Sequence, residues 1–102
     1  MKKSEREKMV QVEVDRWVAE GMLNEAHELI RELRIIASGW PGFLSGSLFQ
    51  RVDDHHHCSS VSRWQSKRDW DNWVASEDRH RVASKISPML DEPETVVIFE
   101  PF

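Results

Sequence analysis

Three tryptophans and one serine are the residues of this chain whose type and spacing point most directly to chemistry. Trp64, Trp70 and Trp73 follow one another at intervals of six and three residues, and Ser60 precedes them. The pair Trp70 and Trp73 shares one face of a predicted helix, which is the usual pattern of core packing. Large rings with a few polar groups also build the walls of ligand pockets, and a serine hydroxyl can donate and accept a hydrogen bond. A packed core and an aromatic-walled pocket for a small molecule both remain open.

Asp15 and His80 are the candidate bases. Asp15 lies on a predicted strand directly after Val14, and burial in a pocket would raise its pKa by desolvation. His80 lies between two arginines, and an unperturbed imidazole titrates near neutral pH. Placement on the surface is the alternative for both side chains.

The run His55-His56-His57-Cys58 has the composition of a metal site. Strand alternation would point His55 and His57 to one side and His56 and Cys58 to the other. A structural zinc site needs four ligands in a tetrahedron, and no Cys-x-x-Cys or second His pair completes one. We therefore predict a polar hairpin without a metal. No phosphate-binding loop or catalytic-triad motif occurs elsewhere in the chain, and no cofactor is predicted.

Composition limits the partners. The 102 residues suit one domain, with 39% apolar and 31% charged residues. A net charge of -4 argues against nucleic acid and against an anionic membrane surface. No apolar run approaches the roughly 18 residues of a spanning helix, and the N-terminus lacks the apolar part of a secretory signal. The single cysteine fits a reducing compartment, so a cytoplasmic location is predicted.

Hydrophobic periodicity predicts the elements that must position these residues. Residues 1–8 are polar and form a predicted frayed lead-in to one domain of residues 9–102. Alternation from Met9 predicts a strand, and a period of three to four residues predicts a helix over 22–38. Residues 43–52 and 56–65 then predict a β-hairpin, with either a bulge or a close approach by another group at Gly46.

The second half of the chain carries two cap signals. Ser66 and Ser76 are each followed by acidic residues, which predicts a helix from Ser66 that breaks near Ser76 and continues towards Leu90. The last segment, Thr95 to Phe99, is apolar on both faces and predicts a central or covered strand.

The predicted order βαββαβ indicates a ferredoxin-like α+β sandwich with an antiparallel sheet. Helices cover only one face of such a sheet. An apolar open face usually marks an interface, and a two-fold homodimer is the simplest way to cover it.

Four segments between about Met9 and Phe99 share a pattern with a known family: WPGFLSGSLFQRVDD, SRWQSKRDW, NWVASEDRHRVASKI and VVIFEP. On these segments the chain resembles the antibiotic biosynthesis monooxygenase (ABM) family. The resemblance implies a dimeric α+β barrel and cofactor-independent oxidation of a small electron-rich aromatic or quinol. In such proteins a deprotonated phenolic substrate passes an electron to dioxygen.

The resemblance also implies roles for residues. The family's pocket tryptophan matches Trp64, the family's asparagine four residues earlier is replaced by Ser60, and its later tyrosine by Trp70. We therefore expect Trp64, with Asp15 or His80 as base, to be catalytic. We expect Ser60, Trp70 and Trp73 to bind the substrate.

Two other functions remain as alternatives. One is a binding module in which the same pocket holds a small aromatic molecule without turnover. The other is haem degradation, as in similar proteins whose helix tryptophan matches Trp73. Their strand asparagine aligns with Asp15, but their histidine falls on Ala83, which cannot ligate iron.

Overall fold

The fold is seen in a computed structural model that describes residues 8–102. The predicted lead-in of residues 1–8 therefore lies, except for Lys8, outside the described residues. No helix in the described part is both long and apolar enough to cross a membrane. The elements in chain order are β1 (Val10–Trp17), α1 (Leu23–Ala37), β2 (Phe43–Gln50), β3 (His57–Trp64), α2 (Lys67–Val74), α3 (Glu77–Ile86), a 3-10 turn (Ser87–Met89) and β4 (Thr95–Phe99).

The four strands form one antiparallel sheet in the order β2-β3-β1-β4. This arrangement, with the helices α1 to α3, confirms the predicted ferredoxin-like α+β fold. The register of β2 shifts between Phe43 and Ser45, so the irregularity lies before Gly46. At Gly46 the alternative prediction of a close approach is confirmed, because a Cβ there would lie 3.0 Å from the ring of Phe43.

Strand β1 decides which side of the sheet is the core. Its even-numbered residues are buried and its odd-numbered residues are half-buried, as alternation requires. Val10, Val12 and Val14 pack with α1 and with the tryptophans of β3 and α2. Arg16 continues this buried series with a side chain that is only 2% exposed. The helix-covered face therefore contains a charged residue among apolar ones.

Two serine caps set the path of the tryptophan helix. The Oγ of Ser66 accepts from the amide of Asp69 at 3.1 Å, and the Oγ of Ser76 accepts from the amide of Arg79 at 3.1 Å. Each bond satisfies a backbone donor that a helix start would leave unpaired. The predicted break is thus confirmed, and α2 is short enough to direct both of its tryptophans inward.

Strand β4 differs from the prediction. It lies at the edge of the sheet, beside β1, and all five of its residues are exposed in the single chain. Val96 and Ile98 are on the helix side, yet they are 43% and 37% exposed. A strand that is apolar on both faces was predicted to be central or covered, and this chain by itself leaves it uncovered.

The turn before β2 depends on Gly42, which has a φ of 87°. A Cβ at this position would overlap the carboxylate of Asp69, which is held by the Ser66 cap. We expect Gly42→Ala to lower the free energy of unfolding by about 1–3 kcal/mol, since positive φ alone costs a residue of that order. Urea denaturation followed by circular dichroism measures the change.

Two other glycines make matched controls for Gly42→Ala. Gly21 has a φ of 82° with open space around it, so Gly21→Ala reports the backbone cost alone. Gly39 has no positive φ and its Cβ would meet only the carbonyl of Ile36 at 3.6 Å. If Gly42→Ala lowers the free energy of unfolding by no more than Gly21→Ala does, the side chain of Asp69 moves aside freely.

Candidate functional site

A cavity of about 50 Å³ lies between the helices and the helix-covered face of the sheet. One water needs roughly 10–15 Å³, whereas a cavity of roughly 150 Å³ holds benzene. The resting cavity therefore has space for a few waters, and an aromatic ring enters only when wall side chains shift. The functional side chains in its wall are Arg16, Ser60, Trp64, Trp70, Trp73 and Arg79.

The tryptophans form one contiguous cluster. Trp64 is completely buried, and Trp73 stacks beside it with ring centroids 6.3 Å apart. Trp70 and Phe43 meet the Trp64 ring edge-on, at 5.9 and 5.3 Å. These are favourable aromatic geometries. The rings are core residues and cavity wall at the same time, so the two interpretations of their spacing are not exclusive.

The polar side of the cavity is built on Ser60. Strand pairing places Ser60 opposite Val14, on the helix-covered face. Its Oγ accepts a hydrogen bond from Arg16 Nη1 at 2.9 Å. Because the hydroxyl accepts from a cation, its own proton remains available to donate to a ligand oxygen. By contrast, Trp64 Nε1 already donates to Ser62 Oγ at 3.0 Å.

A buried charge cluster beside Ser60 is absent from the sequence prediction. Glu94 Oε1 accepts from Arg16 Nε at 3.1 Å, and Glu94 Oε2 accepts from Arg79 Nη2 at 3.0 Å. Two guanidinium groups thus share one carboxylate. Burial lowers the pKa of Arg16, and the nearby negative charge of Glu94 opposes that shift. We call Arg16, Glu94 and Arg79 the arginine–glutamate cluster.

The two predicted bases lie elsewhere. Asp15 is on the opposite face of the sheet, where it accepts from Ser59 Oγ and lies 3.4 Å from His57 Nε2. His80 is exposed on α3. Neither lines the cavity. The physical reason is alternation: the residue after Val14 must point away from the face that the helices cover.

Strand alternation separates only the last two residues of the histidine run, because β3 begins at His57 and His55 and His56 lie in the turn before it. His57 stacks on Trp17 at 4.6 Å on the open face, while His56 Nδ1 lies 2.9 Å from the carbonyl of Val18. Cys58 Sγ points to the helix side, 3.4 Å from His27 Nε2. Within residues 8–102, no three His, Cys, Asp or Glu side chains are grouped so that they could hold a metal ion.

A second hollow of about 370 Å³ lies between α1 and the ends of β2 and β3, with His27 and Cys58 in its wall. It is larger than the tryptophan cavity, but its wall contains the polar side chains of Arg31, Gln50 and Ser59 and none of the tryptophans. Ligand pockets are mostly apolar with a few placed polar groups. The smaller cavity is therefore the better candidate site.

Cys58 is expected to be a slow nucleophile. Burial raises the pKa of its thiol, although the positive charge of Arg16 opposes this, and burial lowers the pKa of the neighbouring His27. The pair is thus neutral at pH 7, and the thiolate is the reactive form. We expect iodoacetamide to alkylate native Cys58 at pH 8 at least roughly tenfold more slowly than the urea-unfolded chain. Mass spectrometry follows this single cysteine directly; equal rates would contradict the expectation.

The family model of antibiotic biosynthesis monooxygenases matches residues 9–85. The chain belongs to this family. Comparison with the curated protein sequences gives no significant match.

Solved structures share the ABM fold. A crystal structure of an antibiotic biosynthesis monooxygenase is 22% identical, with a TM-score of 0.85 over 91% of this chain and 98% of that one. A mutant of SnoaB, a cofactor-independent oxygenase from Streptomyces nogalater, is 14% identical, with a TM-score of 0.83 over 92% and 93%. A conserved protein from Methanosarcina mazei Go1 is 15% identical, with a TM-score of 0.86 over 93% and 94%. At these identities the likeness establishes the fold.

Haem does not fit this cavity. Iron needs an axial ligand such as imidazole, thiolate, thioether or phenolate, and the described cavity wall contains no His, Cys, Met or Tyr. Ala83 occupies the position where the resemblance would require histidine, and the nearby His80 faces solvent. The arrangement instead offers aromatic surface, one free hydroxyl proton and a cationic wall.

Proposed function

We propose that this ABM protein is a cofactor-independent monooxygenase that oxidises a small electron-rich aromatic or quinol substrate in the tryptophan cavity. The observation that carries the proposal is the convergence of Trp64, Trp73, Ser60 and Arg16 on one cavity under the helices. Family membership and the oxygenase named among its structural neighbours support it.

Such a reaction balances without an external reductant. A phenol with a free ring position reacts with one O₂ to give a quinone and one water. One oxygen atom of the O₂ becomes the new ring carbonyl, and the other leaves as water. The substrate supplies all the electrons. The protein therefore needs only to bind the ring, favour its deprotonated form and exclude bulk water.

The cavity residues suit these tasks. Trp64 and Trp73 are 0% and 3% exposed in the resting protein, so the substrate ring contacts them after wall side chains shift. The Ser60 hydroxyl, polarised by Arg16, donates to the substrate oxygen, where charge develops on deprotonation. Because Asp15 and His80 lie outside the cavity, the proton leaves the substrate through water or the solution base rather than through either side chain.

Oxygen consumption tests the proposal. Hydroquinones and dihydroxynaphthalenes, offered as a size series, should take up one O₂ per molecule at an oxygen electrode and give the hydroxyquinone, which carries one inserted oxygen atom, without added flavin, haem or metal. The small resting cavity leads us to expect faster turnover of single-ring substrates than of two-ring ones. Binding without uptake above the Trp64→Phe control would identify a non-catalytic binding module instead.

Ser60→Ala refines the test. Loss of one oxyanion donor should lower the turnover rate by about 10²-fold while substrate still binds. Ser84→Ala is the matched control, because Ser84 is exposed on α3 and its hydroxyl donates to the carbonyl of Arg81. A Ser60→Ala rate equal to that of Ser84→Ala would remove Ser60 from the mechanism.

We also propose that a second copy of the chain covers the open face of the sheet. Phe49, Val97 and Phe99 are 58%, 46% and 47% exposed on that face. Glu13 and Arg63 lie on the same face, so a two-fold copy can pair unlike charges across the interface. An exposed apolar face with both charge signs suits self-association.

Light scattering tests the dimer. We expect twice the monomer mass at micromolar concentration, and Phe99→Asp should shift the protein to monomer because it places an unpaired charge in the interface. Val52→Asp is the control, since Val52 is 96% exposed in the hairpin turn. A monomeric wild-type protein would contradict the proposal.

A further inference from the structure

The arginine–glutamate cluster leaves an excess of positive charge beside the tryptophan cavity. The side chains of Arg16 and Arg79 are 2% and 13% exposed, and both line the cavity. Glu94 supplies one negative charge for the two of them. A guanidinium group cannot release its proton in a protein, so the cluster carries a net positive charge at any physiological pH.

The donors of Arg16 are not exhausted. Its guanidinium has five N–H bonds, and within residues 8–102 it uses one Nε bond to Glu94 and one Nη1 bond to Ser60. Its Nη2 donates to no other described residue. An anion in the cavity could accept from the Arg16 donors that no described residue uses, through charge-assisted hydrogen bonds.

We propose that Arg16 and Arg79 form an anion subsite, and that the preferred ligand is an aromatic monoanion whose carboxylate or phenolate oxygen meets Arg16 while its ring lies on Trp64 and Trp73. This inference rests on the proposed function in taking the same cavity as the substrate site, and it adds the charge of the substrate. Glu94 is the resident counter-ion that holds both guanidinium groups in place when no ligand is bound.

The subsite also has a chemical consequence. A guanidinium beside a phenol favours the phenolate, because an adjacent positive charge stabilises the charged form. The phenolate is the electron-rich form that reduces dioxygen. The deprotonated ligand would therefore be both the form that Arg16 binds and the form that is oxidised.

Binding of ligands that cannot be oxidised tests the subsite without turnover. Benzoate and benzamide have nearly the same shape but differ in charge. Acetate and acetamide repeat this comparison with ligands small enough to enter the cavity without movement of its wall. Titrations followed by the five tryptophan indole N–H signals in ¹⁵N NMR report both affinity and location. We expect the anion of each pair to bind about 10- to 100-fold more tightly than the amide, as charge-assisted hydrogen bonds imply.

Two variants assign the preference to the cluster. Arg16→Gln should abolish it, whereas Arg51→Gln should retain it, because Arg51 is exposed beside the hairpin turn and donates to Asp53. Should Arg16→Gln fail to fold, Arg79→Gln replaces it and should reduce the preference by at least roughly threefold, since Arg79 also lines the cavity. Three results would overturn the subsite. The anion and the amide of each pair could bind equally, neither pair could bind at millimolar concentration, or the preference for the anion could survive in Arg16→Gln.

The test of the anion subsite and the test of the proposed oxidation can fail independently of each other. Anion preference without oxygen uptake leaves the subsite standing and removes the oxidation. Oxygen uptake without anion preference leaves the oxidation and removes the subsite.

Discussion

Replacing Glu94 with alanine is expected to lower the free energy of unfolding by about 3 kcal/mol, because removal of one partner from a buried ion pair leaves the other uncompensated. Glu94 bonds to Arg16 at 3.1 Å and to Arg79 at 3.0 Å. Arg16 is 2% exposed and Glu94 is 27% exposed, so the loss of the carboxylate leaves a mostly buried guanidinium without its main counter-ion. Urea denaturation of the variant and the wild-type protein measures the difference.

A double-mutant cycle separates this charge effect from lost packing. Arg16→Met removes the buried charge while it keeps an unbranched apolar stem, so the Glu94→Ala loss should shrink by about 1–3 kcal/mol in that background. Glu92→Ala, two residues away and exposed, should change stability by less than about 0.5 kcal/mol. Strict additivity of Arg16→Met and Glu94→Ala would show that the two side chains do not depend on each other.

Ligand rescue connects the same variant to the anion subsite. A ligand that binds only the folded state stabilises it in proportion to the logarithm of its concentration over its dissociation constant. Benzoate should therefore raise the melting temperature of Glu94→Ala more than that of the wild-type protein, since both guanidinium groups then have the ligand carboxylate as their counter-ion. Benzamide at the same concentration should not.

The fold could be predicted because its signals are local. Alternation in β1, the three-to-four periodicity of α1 and the serine caps at Ser66 and Ser76 each depend on neighbouring residues. The position of β4 is not local. The composition of Thr95–Phe99 indicates a strand, but only the pairing of β4 with β1 shows that it is the edge of the sheet.

The candidate site was only half predictable for the same reason. Trp64, Trp70 and Trp73 were found from helix spacing and from the family resemblance. Arg16 had a signal, since it continues the buried series of Val10, Val12 and Val14, but an arginine on a core face goes against the usual distribution. Its partner Glu94 comes from a loop 78 residues away, and no pattern in the sequence joins the two.

Trp64→Ala is expected to lower the free energy of unfolding by about 3–5 kcal/mol, the range for deleting a buried aromatic side chain. Trp64 is 0% exposed and touches three other rings, so its loss opens a void at the centre of the aromatic cluster. The total free energy of unfolding of a small domain is only about 5–15 kcal/mol. Circular dichroism is the suitable probe, because the substitution also removes a fluorophore.

Trp64→Phe distinguishes the structural from the ligand-binding contribution of this ring. Phenylalanine keeps the stacking with Trp73 but loses part of the ring area and the bond to Ser62, so its stability loss should be smaller than that of alanine. Phe102→Ala is the control for removing an exposed aromatic and should have almost no effect. A Trp64→Phe protein of near wild-type stability that binds aromatic ligands more weakly would show that the ring contributes to the cavity beyond packing. If stability and affinity decline together, the ring acts through the core alone.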